Sequence, residues 1–334
     1  MIIVLKDNPE IDKINALRDW LRSMDLEIHY SQGSSTTLMG LLGDTSGLDI
    51  DIIRSLPFVK KAIRIQEPYK LSHIGFKKEK TVVDVGGVKI GDGITKIIAG
   101  PCSVESNEQL IAIAESIKTS GGDVVRGGAY KPRTSPYTFQ GTREEGMMIL
   151  QKMKEQCKMP VVTEIMDIAH LEQFEHIDMI QVGARNMQNY ELLRALGRQN
   201  KPVLLKRGFA STLEELLLSA EYILKEGNPN VILCERGIRT AANQGTITLD
   251  LSAVPRLKQM THLPVIVDPS HGTGDSKIVT SMTLAAVACG ADGVMVEVHN
   301  NPSMALCDGP QAIDLEEFEQ LVKKIKQLRD IISV

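Results

Sequence analysis

The run Lys96-Ile97-Ile98-Ala99, closed by Gly100-Pro101-Cys102-Ser103, is the stretch on which the fold turns. It is a short apolar run stopped by Gly and Pro, the pattern of a buried strand. The same design returns at Val124–Gly127, Val161–Glu164, Met179–Val182, Val203–Lys206, Val231–Cys234, Val265–Val267 and Gly293–Val298. Helical patterns such as Leu110–Thr119, Leu192–Gln199 and Leu213–Lys225 lie between them. Residues 94–334 thus predict an α/β fold of the (β/α)8 TIM barrel type, which takes ~250 residues. A doubly wound sheet is the alternative. It calls for a GxGxxG turn after its first strand, and none stands there.

Working outward from the barrel, residues 67–93 read as a linker with a β-hairpin: Thr81–Val85 and Val88–Ile90 flank Gly86-Gly87. Residues 1–66 read as a small ferredoxin-like domain of order βαββαβ. Its strands are Ile2–Leu5, Leu26–Tyr30, Thr37–Leu42 and Val59–Ile65, with a Gly/Ser turn at Gln32–Ser35. Its helices are Asp12–Met24, with Ile14, Leu17, Leu21 and Met24 at helical spacing, and Leu48–Ser55. Helices on one face of the sheet leave the other to be covered by a neighbour or a second copy.

Composition narrows the function classes. Lys and Arg number 38 against 42 Asp and Glu, a net charge of -4, which speaks against a nucleic-acid binder. No apolar run approaches the ~20 residues of a membrane span. Met1–Lys6 followed by Asp7 lacks a signal peptide's layout, and five scattered cysteines read as reduced thiols. The expectation is a cytoplasmic protein with no nucleic-acid or membrane partner.

In a barrel, function collects at the C-terminal ends of the strands. There stand Arg126, Lys131, Arg133, Arg185, Lys206, Arg207 and Arg236. Seven cations converging on one mouth call for an anionic ligand, because otherwise they repel. Arg suits phosphate and carboxylate through its planar fork. The plain alternative is a solvated basic rim paired with glutamates. Cys102, His271, Glu297 and Asp308 form a second constellation: thiolate, imidazole and two carboxylates, a mixed donor set for a divalent transition metal. Here too alternatives stand. A lone cysteine after a strand is often a buried filler, and His299 shares a strand face with Glu297 and rivals it as a ligand. Cys157, Cys234, Cys289 and Cys307 read as structural, and His29, His73, His170, His176 and His262 as surface or helix-end residues.

Four motifs together resemble the 3-deoxy-D-arabino-heptulosonate 7-phosphate (DAHP) synthase family, type I-beta branch. They are Gly100-Pro101-Cys102-Ser103, the run Arg126-Gly127-Gly128-Ala129-Tyr130-Lys131-Pro132-Arg133-Thr134-Ser135, Gly183-Ala184-Arg185-Asn186 and Asp268-Pro269-Ser270-His271. The resemblance spans essentially the whole chain, with residues 1–66 matching the branch's small regulatory domain. The sister family, 3-deoxy-D-manno-octulosonate 8-phosphate synthase, usually reads Lys-Ala-Asn-Arg-Ser/Thr-Ser where this chain has Lys131-Pro132-Arg133-Thr134-Ser135, and it lacks the small domain. A chorismate mutase module, present at the N-terminus of some members, is all-helical and does not fit the strands of residues 1–66.

The resemblance implies a metal-dependent transferase that condenses phosphoenolpyruvate with erythrose 4-phosphate and water, releasing inorganic phosphate, as the first step of the shikimate pathway. It implies that Arg126, Lys131, Arg185, Lys206 and Arg236 hold the phosphate and carboxylate of phosphoenolpyruvate, with backbone from Gly183 and Ala184. Arg133, Thr134 and Ser135 would grip the aldose phosphate on a loop shaped by Pro132. Cys102, His271, Glu297 and Asp308 would ligate one divalent ion of the Mn, Fe, Co or Zn type, and Lys131, Cys102 and His271 would be catalytic. Arg207, Glu164 and His299 receive no role, although Glu164 could partner one of the cations. A homotetramer and inhibition by tyrosine or phenylalanine through the small domain complete the implied picture. The octulosonate enzyme and a non-catalytic sensor of phosphorylated metabolites are the alternatives.

Overall fold

A computed structural model describes residues 1–332 apart from 7–9, 33–36, 46, 65–66, 78 and 242–246. Most of the expected turn at 32–35 and the expected end of the small domain's last strand fall outside the described residues. The chain divides into two compact units, Met1–Glu79 with Met260–His262, and Lys80–Gln259 with Leu263–Val334.

The smaller unit contains β1 (Ile2–Leu5), α1 (Ile11–Arg22), β2 (Glu27–Gln32), β3 (Thr37–Leu42), α2 (Ile50–Ser55) and β4 (Val59–Ile63). Its antiparallel sheet runs in the order β2-β3-β1-β4, with Ile3 opposite both Met39 and Ala62. Alternation along β1 decides which side chain goes where. Ile3 and Leu5 pack with Ile14, Leu17 and Leu21 of α1 and Ile53 of α2, whereas Ile2 and Val4 turn the other way with Leu38. Phe76 packs against that second face, so its cover comes in part from the same chain and not only from a neighbour, as the sequence suggested. Met24 lies beyond the end of α1 and is exposed. His262, expected at the surface, is buried with Nε2 2.7 Å from the Leu71 carbonyl, and burial drops its pKa to about 4.

The larger unit opens with a hairpin, β5 (Val83–Val85) and β6 (Val88–Ile90). Gly86 and Gly87 both have positive φ, 58° and 94°, which the two-residue turn requires. The eight barrel strands follow: β7 (Lys96–Gly100), β8 (Val124–Arg126), β9 (Val161–Ile165), β10 (Met179–Val182), β11 (Val203–Lys206), β12 (Val231–Glu235), β15 (Val265–Val267) and β16 (Gly293–Glu297). Between β12 and β15 a short ribbon pairs β13 (Ile238–Arg239) with β14 (Ile247–Thr248). The barrel strands are parallel, and β16 pairs with β7 to close the ring, setting Glu297 opposite Gly100. The strands match the expected ones to within a residue at each end, because each is an apolar run that the barrel buries on both faces.

Inside the barrel, Ile98, Val124, Val162, Met179, Leu204, Ile232, Ile266 and Met295 form one buried cluster. Val83, Val85 and Ile90 of the hairpin belong to it and close the end from which the strands start. The expected linker of residues 67–93 is thus shared out. Its first part, to Glu79, packs with the small sheet, and its second completes the barrel floor.

Candidate active site at the barrel mouth

The strand ends bring the candidate metal ligands together. One donor atom each from Cys102, His271, Glu297 and Asp308 lies within 4.8 Å of all the others. Cys102 follows β7, Glu297 ends β16, and His271 sits on the short helix α8 (Pro269–Thr273) after β15. Asp308 adopts a left-handed backbone, φ 53°, in the loop beyond β16. Cys102 Sγ is 3.1 Å from Asp308 Oδ2, and His271 Nε2 is 3.2 Å from Glu297 Oε1.

Neighbouring groups fix the protonation of this cluster. Asp268 caps α8: its Oδ1 accepts the His271 backbone N–H at 3.0 Å and its Oδ2 lies 2.7 Å from His271 Nδ1. Burial opposes its charge, yet His271 and Lys206 hold the Asp268 carboxyl well below the usual range. An ionised Asp268 can only accept, so Nδ1 carries a proton, and Nε2 is the ring nitrogen turned toward the cluster. Glu297 is fully buried, and burial would raise its pKa, but His271 and Arg126 bring it down. Its Oε1 accepts from Arg126 at 2.8 Å and its Oε2 from the Gln311 amide at 2.6 Å. Asp308 falls to about 2: burial works against its charge, and the Cys102 thiol and His271 outweigh it. In Cys102 the Cys307 contact, burial and Glu297 push the thiol well up. Two ionised carboxylates, an imidazole and a thiol fit a divalent transition metal, with no single metal favoured strongly by the mixed set.

A cavity of about 700 Å³ opens over this cluster. Lys131, Pro132, Arg133, Thr134, Ser135, Glu164, Gly183, Ala184, Arg185, Lys206, Arg236, His271 and Asp308 line it, so nearly every residue nominated from the sequence faces one space. Lys131 reaches deepest, with Nζ 2.9 Å from the Cys102 carbonyl and 3.0 Å from its sulfur. Burial disfavours its charge, but Cys102, Cys307 and Glu297 raise its pKa, so it stands as an ammonium. Arg236 is buried, and desolvation lowers its pKa; its Nη1 makes no hydrogen bond to protein. Lys206 lines the cavity while paired with the buried Asp268. A β-carbon at Gly183 would meet the Glu164 carboxylate, so a larger residue there would push that side chain aside.

Several residues differ from expectation. Arg207 does not reach the mouth. Its guanidinium pairs with Glu235 at 2.8 Å and Asp250 at 3.0 Å, because it follows Lys206 on a strand and alternation turns it outward. Arg126 lies beneath the cavity wall, its Nη1 shared between Glu297 and the Pro101 carbonyl. Glu164 accepts from the Gln181 amide at 2.8 Å, where a cation was expected. His299 stands outside the ligand cluster, with Nε2 3.0 Å from Gln109 and 3.4 Å from Glu105. Cys307, read as structural, lies 3.3 Å from the Cys102 sulfur and 2.8 Å from Arg133 Nη1. Nothing in sequence spacing signals that contact across 205 residues. Phe209 and Gln311 were also missed at the cavity wall.

Family comparisons agree with this geometry. Residues 71–334 match the DAHP synthetase I family, and residues 1–67 match the DAHP synthase ferredoxin-like domain. The chain belongs to the DAHP synthetase I family. A Thermotoga maritima relative, phospho-2-dehydro-3-deoxyheptonate aldolase, is 48% identical over all of this chain and 99% of its own length. The crystal structure of a T. maritima DAHP synthase, 47% identical, superposes with a TM-score of 0.79 over 100% of this chain and 98% of that one. A 2-dehydro-3-deoxyphosphooctonate aldolase from Geobacter sulfurreducens is 32% identical over 98% of its length but only 75% of this chain. The DAHP synthetase I relative thus accounts for both units, and the octulosonate relative for three quarters of the chain.

Proposed function

We infer that this chain condenses phosphoenolpyruvate with D-erythrose 4-phosphate and water, giving 3-deoxy-D-arabino-heptulosonate 7-phosphate and inorganic phosphate. The observation that carries this reading is a single cavity lined by cations and by His271 and Asp308 of the four-donor cluster, in a chain matched end to end by a DAHP relative. Both substrates are anions that repel in water, and fixed cations hold them together without reorganising. Arg185, Lys206 and Arg236, with the backbone of Gly183 and Ala184, take the phosphate and carboxylate of phosphoenolpyruvate, and Arg126 adds charge from below. Arg133, Thr134 and Ser135 take the aldose phosphate at the more exposed rim. Cys102, His271, Glu297 and Asp308 would hold a divalent ion of the Mn, Fe, Co or Zn type, which when bound would supply Lewis acidity toward the aldehyde. The Lys131 ammonium sits beside the cluster and can give a proton from Nζ to the aldehyde oxygen as C3 of phosphoenolpyruvate attacks. Water then adds at C2, and the hemiketal phosphate loses phosphate.

The same reading assigns residues 1–66 to regulation, 67–93 to the linker and hairpin, and 94–334 to catalysis. Inhibition by tyrosine or phenylalanine, a homotetramer and a cytoplasmic setting go with it. No described helix is long and apolar enough to cross a membrane. The decisive assay mixes phosphoenolpyruvate with erythrose 4-phosphate or arabinose 5-phosphate and follows phosphate release. Rapid release with the four-carbon aldose alone is expected, and equal efficiency with the five-carbon one overturns the reading. Unchanged rates at millimolar tyrosine and phenylalanine overturn the effector assignment.

A further inference from the structure

Three arginines of the mouth share one aromatic ring. The guanidinium carbons of Arg236, Arg239 and Arg185 lie 4.6, 5.1 and 5.2 Å from the centroid of Phe209. Arg185, Arg236 and Phe209 line the cavity, and the Arg239 backbone N–H donates to the Phe209 carbonyl at 2.7 Å, tying the β13 ribbon to this residue. Like charges so close repel, and Arg185 is among the influences that lower the Arg236 pKa. A carboxylate placed between them would relieve that repulsion, but it would also accept their N–H groups and compete with any anion entering the cavity. An aromatic face attracts guanidinium through its quadrupole and leaves the in-plane donors free. Arg236 is in that condition, buried with Nη1 bonded to nothing in the protein.

We propose that Phe209 is a positioning residue for anion binding: an uncharged platform that holds the Arg185 and Arg236 guanidiniums together while keeping their donors available for an oxyanion. The proposal rests on the reading above, in which these two arginines bind phosphoenolpyruvate. Phe209 needs no proton transfer or bond making to act, so its removal should cost affinity more than turnover.

The test uses the full-length, metal-loaded chain and three replacements. Phe209→Leu keeps bulk and removes the π face. It should raise the KM and the calorimetric Kd for phosphoenolpyruvate roughly 10- to 30-fold with kcat within about threefold. Inorganic phosphate should lose affinity in parallel, while the KM for erythrose 4-phosphate stays near its wild-type value. Phe209→Tyr, which retains the face, should restore phosphoenolpyruvate affinity to within about threefold. Ring-fluorinated phenylalanine at 209 keeps the shape but drains the face of negative charge, and binding should weaken with each added fluorine. This arm holds even where the leucine variant folds poorly. Unchanged phosphoenolpyruvate affinity in Phe209→Leu, an equal loss in Phe209→Tyr, or indifference to fluorination overturns the platform. A wild-type chain with no saturable phosphoenolpyruvate binding overturns the underlying reading of the site, and the platform with it.

Discussion

At the lower end of the barrel, Val83, Val85 and Ile90 plug the space among Ile98, Val162 and Met295 with hydrocarbon alone. At the upper end, roughly 15 Å away along the same strands, the residues at and beneath the cavity include Cys102, Arg126, Lys131, Asp268 and Glu297, all buried and mostly charged. The lower end can pack tightly because none of its side chains needs a partner. The upper end keeps its innermost charges buried by pairing them, Arg126 with Glu297 and Lys206 with Asp268. Stability is therefore concentrated below and chemistry above, which separates the effects of mutation at the two ends.

The largest effect belongs to the mouth. Cys102→Ala should release the metal and cut turnover by at least ~10³-fold, beyond the roughly 10–100-fold that outer partners of a metal carry. Cys157→Ala, at a buried thiol on the barrel's outer helices, should keep both. Metal analysis and phosphate release on the two variants check this, and full activity in a chelated sample would break the contrast. Next comes the floor. Ile90→Ala should cost about 2–5 kcal/mol in denaturant unfolding while kcat/KM stays within twofold of wild type. A change in kcat/KM comparable to the stability loss would show that the two ends are coupled.

These contrasts were unevenly legible. Strand positions followed from apolar runs, and the ligand cluster from residue types at strand ends, because a closed barrel must bring such ends together. Alternation at Lys206-Arg207 could have excluded Arg207, since only one of two consecutive strand residues can face inward. Burial of His262 and the meeting of Cys102 with Cys307 had no local signal. Both depend on where distant loops return, which no periodicity encodes. Nothing about Phe209 in the sequence after Lys206-Arg207-Gly208 marks it out, and its meaning lies in the three arginines that gather on it.

Smaller effects sharpen the mouth itself. Arg133→Ala should raise the erythrose 4-phosphate KM more than the phosphoenolpyruvate KM, by the roughly 1.5–3 kcal/mol of a charge-assisted hydrogen bond. Equal rises in both would place Arg133 in a general electrostatic role. The smallest is a proton linkage. Because the Cys102 thiol is pushed up, it holds its proton at neutral pH and must lose it to ligate a metal. Apparent metal affinity should therefore fall about tenfold per unit as pH drops from 8 to 6. Calorimetry in buffers of different ionisation enthalpy should show proton release on binding. A pH-independent affinity would mean that Cys102 is already a thiolate.

The hydrocarbon plug has a consequence for traffic. A tube closed at the bottom is a blind well: everything that enters or leaves must use one opening. Of the cations proposed for phosphoenolpyruvate, Lys131, Lys206 and Arg236 are buried toward the base, while Arg185 is exposed beside Thr134 of the aldose loop. On the proposed assignment, an anionic group bound at Lys131, Lys206 and Arg236 has to pass the aldose loop to get there, with no second way out.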